Sequence, residues 1–376
     1  MTRRIPELDG IRGLAILLVL VWHYFNVPMP FAFVHRAILM TWSGVDLFFV
    51  LSGFLIGGIL IDARGSENYF KTFYVRRAFR ILPSYFLLLL IVARIMGKHA
   101  YQIIPYVFFL QNFLMARTHS WGFEELNATW SLAVEEQFYL TLPLLIWIAR
   151  PKSLWKIIAG LALAVPIFRS ALCALFYPNF EMGAYVLLPC RAESLLLGVL
   201  IAIGFRNADV REWMQRRRWL FFSLIVVSAG PIIFCWSPER GVLQRDMSLL
   251  GYSAIAVFYA SLLVLTLTSH GRLQAIFSWG WLRWMGTIAY AIYLIHMLTM
   301  NSMFNLIKHQ RPQLLSPTDL VPWLAALTGT LLFAHLSWKL FEAPLVKIGH
   351  RFQYGERGTL RVSEEADNRT QICEMG

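Results

Sequence analysis

Apolar residues in this chain gather into runs of about 18 to 20, divided by short stretches rich in arginine, lysine, proline and glycine. Because a helix rises about 1.5 Å per residue, such a run matches the ~30 Å hydrocarbon core of a bilayer. Ten runs predict transmembrane helices, near residues 14–33, 44–61, 81–96, 131–148, 157–177, 185–205, 219–236, 249–268, 288–307 and 320–340. An eleventh, 103–115, is only about 13 residues long and holds Pro105, Gln111 and Asn112, so it predicts a re-entrant or interfacial helix. Charge tests this reading, since lysine and arginine collect in cytoplasmic loops. With ten crossings and a cytoplasmic N-terminus, 24 of these residues fall inside and seven outside. Counting 103–115 as a crossing turns this into 13 inside and 18 outside. The expected fold is therefore all-α and polytopic, with about ten transmembrane helices and both termini cytoplasmic.

Composition narrows the class. Of 376 residues, 57% are hydrophobic and 15% charged, with a mean hydropathy of +0.55, which fits no soluble packed globule. The net charge of +12 is spread over short loops beside the apolar runs, so it reads as topology and not as a nucleic-acid surface. Cys173, Cys190, Cys235 and Cys373 have neither disulfide-framework nor zinc-site spacing, and no metal or redox chemistry is expected. The basic opening before the first run is not read as a signal peptide, because Trp22, His23 and Tyr24 interrupt the run and no small-residue cleavage site follows. From about Arg351 the chain turns polar without an apolar period, which predicts a disordered cytoplasmic tail and no attached soluble domain. No internal repeat at a fixed period is visible, which weighs against a transporter built from inverted halves.

Charged and titratable side chains are costly in hydrocarbon, so those kept there are candidates for function. Arg12 and His23 are 11 positions apart, ~1100° of helical rotation and ~16 Å of rise, which puts both on one face. That face offers an anion anchor near the cytoplasmic rim and a proton acceptor within the membrane. A snorkelling arginine and a histidine satisfied by a neighbouring helix are the plainer alternative. In the second run, Asp46 could orient a histidine or cap the helix start. Ser52 lacks the elbow of a serine nucleophile. Arg77 and Arg80, with Arg76 beside them, share a helical face and could grip phosphates, or simply mark the cytoplasmic side. Glu135 and Glu136 open the fourth run about 100° apart, so one could act while the other caps. Arg191 and Glu193 could neutralise charges such as Glu135. His296 and His335 fall in apolar runs, where a satisfied core histidine is the default; the remaining histidines carry no spacing signal.

These residues together resemble the membrane-bound acyltransferase-3 family, integral-membrane O-acyltransferases of surface and secreted glycans. The resemblance covers about residues 4–345 in five ordered blocks. They are Asp9-Gly10-Ile11-Arg12-Gly13 through Trp22-His23, Gly44-Val45-Asp46 through Phe54, Arg77-x-x-Arg80, Trp130-Ser131-Leu132 with Glu135-x-Gln137-Phe138-Tyr139, and Tyr293-Leu294-x-His296. Two positions depart from it: Arg191-Ala192-Glu193 stands where Arg-x-Asp is more usual, and Phe341-Glu342-Ala343-Pro344 lacks the usual cation after the glutamate. The resemblance implies a membrane domain over 1–345 and a polar tail over 346–376. Some members carry a fused extracytoplasmic domain, and with none expected here the acceptor would be brought by the membrane domain or by another protein.

The resemblance further implies an acyl-CoA donor, most often acetyl-CoA, docking from the cytoplasm with its phosphates near Arg12, Arg76, Arg77 and Arg80. His23 would act as general base toward an acceptor hydroxyl, a transient acyl-histidine being the less favoured variant. Asp46 or Glu135 would orient or stabilise the ring, and His296 would be a second polar group nearby. The acceptor would be a glycan or lipid-linked sugar, and the site the bacterial cytoplasmic membrane. A proton-coupled transporter or flippase would also bury such residues but binds no acyl-CoA; a lipid-binding scaffold leaves the intramembrane charges unexplained.

Overall fold

The structure, a computed structural model, describes residues 5–25, 40–176, 179–236, 243–269 and 271–355. Ten long helices run through it: α1 (Pro6–Phe25), α2 (Gly44–Ala63), α3 (Tyr69–Met96), α4 (Trp130–Ile148), α5 (Pro151–Phe176), α6 (Leu188–Arg206), α7 (Arg218–Cys235), α8 (Tyr252–Thr268), α9 (Ala289–Lys308) and α10 (Leu320–Ser337), followed by the short α11 (Ala343–Gly349). Each of the ten predicted runs falls on one of them, and no strand occurs among the described residues. Among the described residues, eight apolar helices are long enough to cross a membrane, or nine when the short helix Gly280–Thr287 and α9, bent by 72°, count as one span. The remaining long helix, α4, is diluted by Glu135, Glu136 and Gln137. The protein is an all-α polytopic integral membrane protein.

α1 and α3 begin furthest ahead of their apolar runs. Proline suits a first helical turn because its missing N–H has no intrahelical partner there. α1 accordingly starts at Pro6, and the buried Glu7 accepts hydrogen bonds from Gln274 Nε2 (2.8 Å) and Ser278 Oγ (3.4 Å). α3 starts at Tyr69, so Arg76, Arg77 and Arg80 stand on the same unbroken helix as the apolar run after them. Residues 26–33 of the first predicted run lie outside the described residues, as does Cys373.

The segment 103–115 is not a crossing helix. A four-residue helix, Ile104–Val107, breaks before Gln111–Thr118 at Phe109, whose φ of 54° is left-handed. Phe109 holds that conformation stacked on Tyr85, ring centroids 4.7 Å apart. The polar residues that argued against a span are buried and bonded: Gln111 donates to Thr129 O (2.9 Å), and Asn112 to Val186 O (3.2 Å) and Gln137 Oε1 (3.2 Å).

α2 and α6 form the centre of the bundle, with 72% and 67% of their apolar windows buried against 17% for α7, which therefore faces lipid. Without a hydrophobic drive between helices in lipid, packing depends on close backbone approach at small residues. A Cβ on Gly53 would sit 1.9 Å from Leu195 O, and one on Gly198 would sit 2.1 Å from Val50 O. Gly53→Leu is therefore expected to separate α2 from α6 and abolish the monodisperse peak in detergent size-exclusion chromatography. Gly160→Ala, which meets open space, should leave that peak intact.

Candidate active site

α1 and α2 run side by side, and Gly44 lets the start of α2 approach Ala15 and Val19 of α1. α2 turns one face, Val45, Phe48, Phe49, Ser52, Leu55, Ile56 and Ile59, toward a cavity of about 540 Å³. Those positions recur at helical spacing over 14 residues, so the cavity follows α2 for ~21 Å. α3 contributes Arg76, Arg77 and Arg80, α1 Arg12, α4 Ser131, Leu132, Glu135 and Tyr139, and α9 Ala289, Tyr290 and Tyr293. One end is thus basic and the wall along α2 largely apolar.

All four arginines expected to bind phosphate line this one cavity. Arg12 pairs with Asp9 one turn below (3.0 Å). Arg77 lies over the Tyr139 ring at 4.0 Å, and its buried Nε has no hydrogen-bond partner among the described residues. Arg76 donates from Nε to Phe352 O (2.6 Å). His350 completes this end; partial burial, and then Arg76 and Arg80, hold its pKa below the ordinary histidine range. Glu135 also lines the cavity, accepting a hydrogen bond from Ser52 Oγ (2.6 Å). Guanidinium groups outnumber carboxylates here, which suits a polyanion.

The imidazoles of His23 and His296 meet beyond the other end, ring centroids 4.6 Å apart and edge to face. A carbonyl oxygen can only accept, so a ring nitrogen beside one carries a proton. His23 Nδ1 donates to Val19 O (2.9 Å) and His296 Nδ1 to Tyr293 O (2.8 Å), which leaves Nε2 of each neutral ring as the lone-pair nitrogen. His296 is fully buried, and its Nε2 has no partner among the described residues; His23 is half-buried. Neither ring lines the cavity. On α9 the lining stops at Tyr293, which meets Phe48 edge to face at 6.2 Å, and His296 stands one helical turn past Tyr293 with ring centroids 5.9 Å apart. Tyr293 OH donates to Ala128 O (2.6 Å) and is bonded to Ser131 Oγ.

Other expected pairings come out differently. Among the described residues no carboxylate is bonded to either imidazole; the backbone carbonyls orient the rings. Asp46 instead receives Arg191 Nη2 on both oxygens (2.8 and 2.7 Å) and Ser194 Oγ (3.1 Å), with Arg191 1% exposed and resting 4.3 Å over the Tyr252 ring. Glu193 pairs with Arg169 at 2.5 Å, so Arg191 and Glu193 do not neutralise Glu135. Arg169 had no assigned role in the sequence; it also donates to Ser248 O (2.6 Å) and Ser253 Oγ (2.8 Å). Glu136 does not cap α4: it stands beyond the first turn, and its buried Oε1 lacks a partner among the described residues. His335 accepts from Trp284 Nε1 (3.3 Å), away from the cavity. No group of three or more His, Cys, Asp or Glu side chains among the described residues could hold a metal ion.

The model of an acyltransferase domain family, acyltransferase 3, matches residues 5–339. The chain belongs to this family. It is 28% identical to the peptidoglycan O-acetyltransferase OatA of Listeria monocytogenes over 92% of this chain and 56% of that protein. Similarity to the putative peptidoglycan O-acetyltransferase YrhL of Bacillus subtilis is also 28%, over 78% of this chain and 48% of YrhL. A putative O-acetyltransferase of Staphylococcus aureus is 25% identical over 92% of the chain and 58% of its own length. The chain thus spans about half the length of the relatives it matches. No solved structure matches it. As an acyltransferase-3 chain, it places in one cavity residues from all five sequence blocks: Arg12, Phe48 with Ser52, Arg77 with Arg80, Ser131 with Glu135, and Tyr293.

Proposed function

We propose that the protein is an O-acyltransferase of the bacterial cytoplasmic membrane, with both termini cytoplasmic, that moves an acetyl group from cytoplasmic acetyl-CoA to a glycan hydroxyl. Peptidoglycan, the polymer in the names of two relatives, is the first acceptor to test. The observation that carries this reading is the alignment of groups: guanidinium groups at one end of a long, mostly apolar cavity, and an imidazole pair one turn beyond its other end. Phosphates would meet Arg12, Arg77 and Arg80, and the pantetheine arm would follow the apolar face of α2. Movement of Phe48 and Tyr293 would admit the thioester to the imidazoles.

His23, the half-buried ring, serves as general base. Its Nε2 takes the proton of the acceptor hydroxyl as that oxygen attacks the thioester carbonyl carbon. The C–S bond breaks, the CoA sulfur leaves as thiolate, and the imidazolium returns its proton to that sulfur. Glu135 remains in the donor cavity rather than at the ring, while Asp46 holds Arg191.

The donor half is tested by Arg77→Gln and Arg80→Gln in nanodisc-reconstituted protein. Each should raise the apparent KM for acetyl-CoA roughly 10- to 100-fold, because a hydrogen bond to a charged group contributes about 1.5–3 kcal/mol. The value of kcat should change little. An unchanged KM in both variants would confine these arginines to topology. Movement of a substrate across the membrane with no acyl transfer would support the transporter reading.

A further inference from the structure

We propose that residues 350–354 form a subsite for the nucleotide end of the donor, with Tyr354 as the residue that recognises the base; this rests on the acyl-CoA reading. The sequence places this stretch at the head of a polar tail expected to be disordered. It is instead fixed to α3 at several points. Asn68 Nδ2 donates to Gln353 O (2.7 Å) and Gly355 N donates back to Asn68 Oδ1 (2.8 Å). Arg76 holds Phe352 O, and the Phe352 ring stacks on Phe79 at 6.4 Å with an interplanar angle of 26°. α11 brings the stretch there, with Gly349 packed against Arg76 and Phe79. Residues 356–376 lie outside the described residues.

This anchoring sets His350 and Tyr354 into the wall of the donor cavity beside Arg76, Arg77 and Arg80. The Tyr354 ring lies under the Arg76 guanidinium at 5.1 Å, and its hydroxyl is buried with no hydrogen-bond partner among the described residues. A buried hydroxyl without a partner is costly, and a ligand that bonds it recovers that cost. A purine base matches all three features: a flat π face for the aromatic–guanidinium stack, ring nitrogens and an amino group for the hydroxyl, and attached phosphates for the arginines. The headgroup of a phospholipid offers only the last. The subsite thus selects a nucleotide-bearing thioester over the same arm without its nucleotide.

The test measures binding of CoA and of 4′-phosphopantetheine to the full chain in nanodiscs by isothermal titration calorimetry. Wild-type protein should prefer CoA by about tenfold or more, and Tyr354→Ala should lower that preference about tenfold, the scale of one base–aromatic stack. Tyr354→Phe, which keeps the ring and loses the hydroxyl, should fall between. Equal weakening of both ligands, or an unchanged preference in Tyr354→Ala, would overturn the subsite. Equal affinity of the wild type for the two ligands would overturn it too, while leaving the thioester donor in place. Binding of neither by the wild type would remove the donor reading and the subsite with it.

Discussion

Alanine at His23 is expected to lower kcat for acetyl transfer about 10²- to 10⁴-fold, the range that a positioned general base contributes. The donor KM should stay close to wild type, because His23 stands beyond the cavity that would hold CoA. The expectation rests on tautomer and access together. Val19 O fixes the Nδ1 proton of His23 and so frees Nε2, and the ring is half-buried where its partner His296 is fully buried. His296→Ala should also depress kcat, because it removes the ring that packs on His23 at 4.6 Å. Asparagine at His296, which can still donate to the Tyr293 carbonyl, should recover part of the loss if that ring only positions His23. Single-turnover transfer by detergent-purified protein checks both, and wild-type turnover in His23→Ala would remove the mechanism.

Asp46→Asn is expected to cost stability rather than chemistry. Arg191 is 1% exposed, and Asp46 supplies the carboxylate against both of its short contacts. Removing one partner of a buried pair costs about 3–5 kcal/mol, since the other charge stays desolvated and alone. The apparent melting temperature, followed by fluorescence-detected size-exclusion chromatography, should fall by several degrees, while kcat per folded molecule holds. The double variant Asp46→Leu/Arg191→Leu should recover much of the lost stability, because no charge is then stranded. An Asp46→Asn protein that melts normally but turns over slowly would instead place Asp46 in the catalytic step.

Period and length made the helical frame legible. Each of the ten apolar runs became a helix, and short length, Pro105, Gln111 and Asn112, together with the loop charges, marked 103–115 as something other than a crossing. Helix starts were less legible, since Glu7, Asp9 and Arg12 look like a loop in hydropathy, yet Glu7 suits a first turn packed on Gln274 and Ser278. Of the candidate site, the shared face of Arg12 and His23 and the i, i+3 spacing of Arg77 and Arg80 followed from helical geometry alone. Partners distant in sequence did not. Nothing in local spacing tells Asp46 to choose Arg191, 145 positions away, over His23, or brings His296 against His23. The wall formed by residues 350–354 was hidden for a related reason: its hydrogen-bond anchors are backbone groups of residues 352–355, which composition cannot reveal.

The central claim is that one thioester donor reaches from the arginines to the imidazole pair. A cryo-EM map of the nanodisc-embedded protein with a non-hydrolysable acetyl-CoA analogue tests it most directly. The expected map has phosphate density against Arg12, Arg77 and Arg80, with Phe48 and Tyr293 moved aside. The acyl carbonyl should then lie where an attacking hydroxyl, about 3–3.5 Å from it, is also in hydrogen-bond reach of His23 Nε2. Analogue bound elsewhere, or an acyl group held away from both histidines with that aromatic pair still closed, would contradict the account.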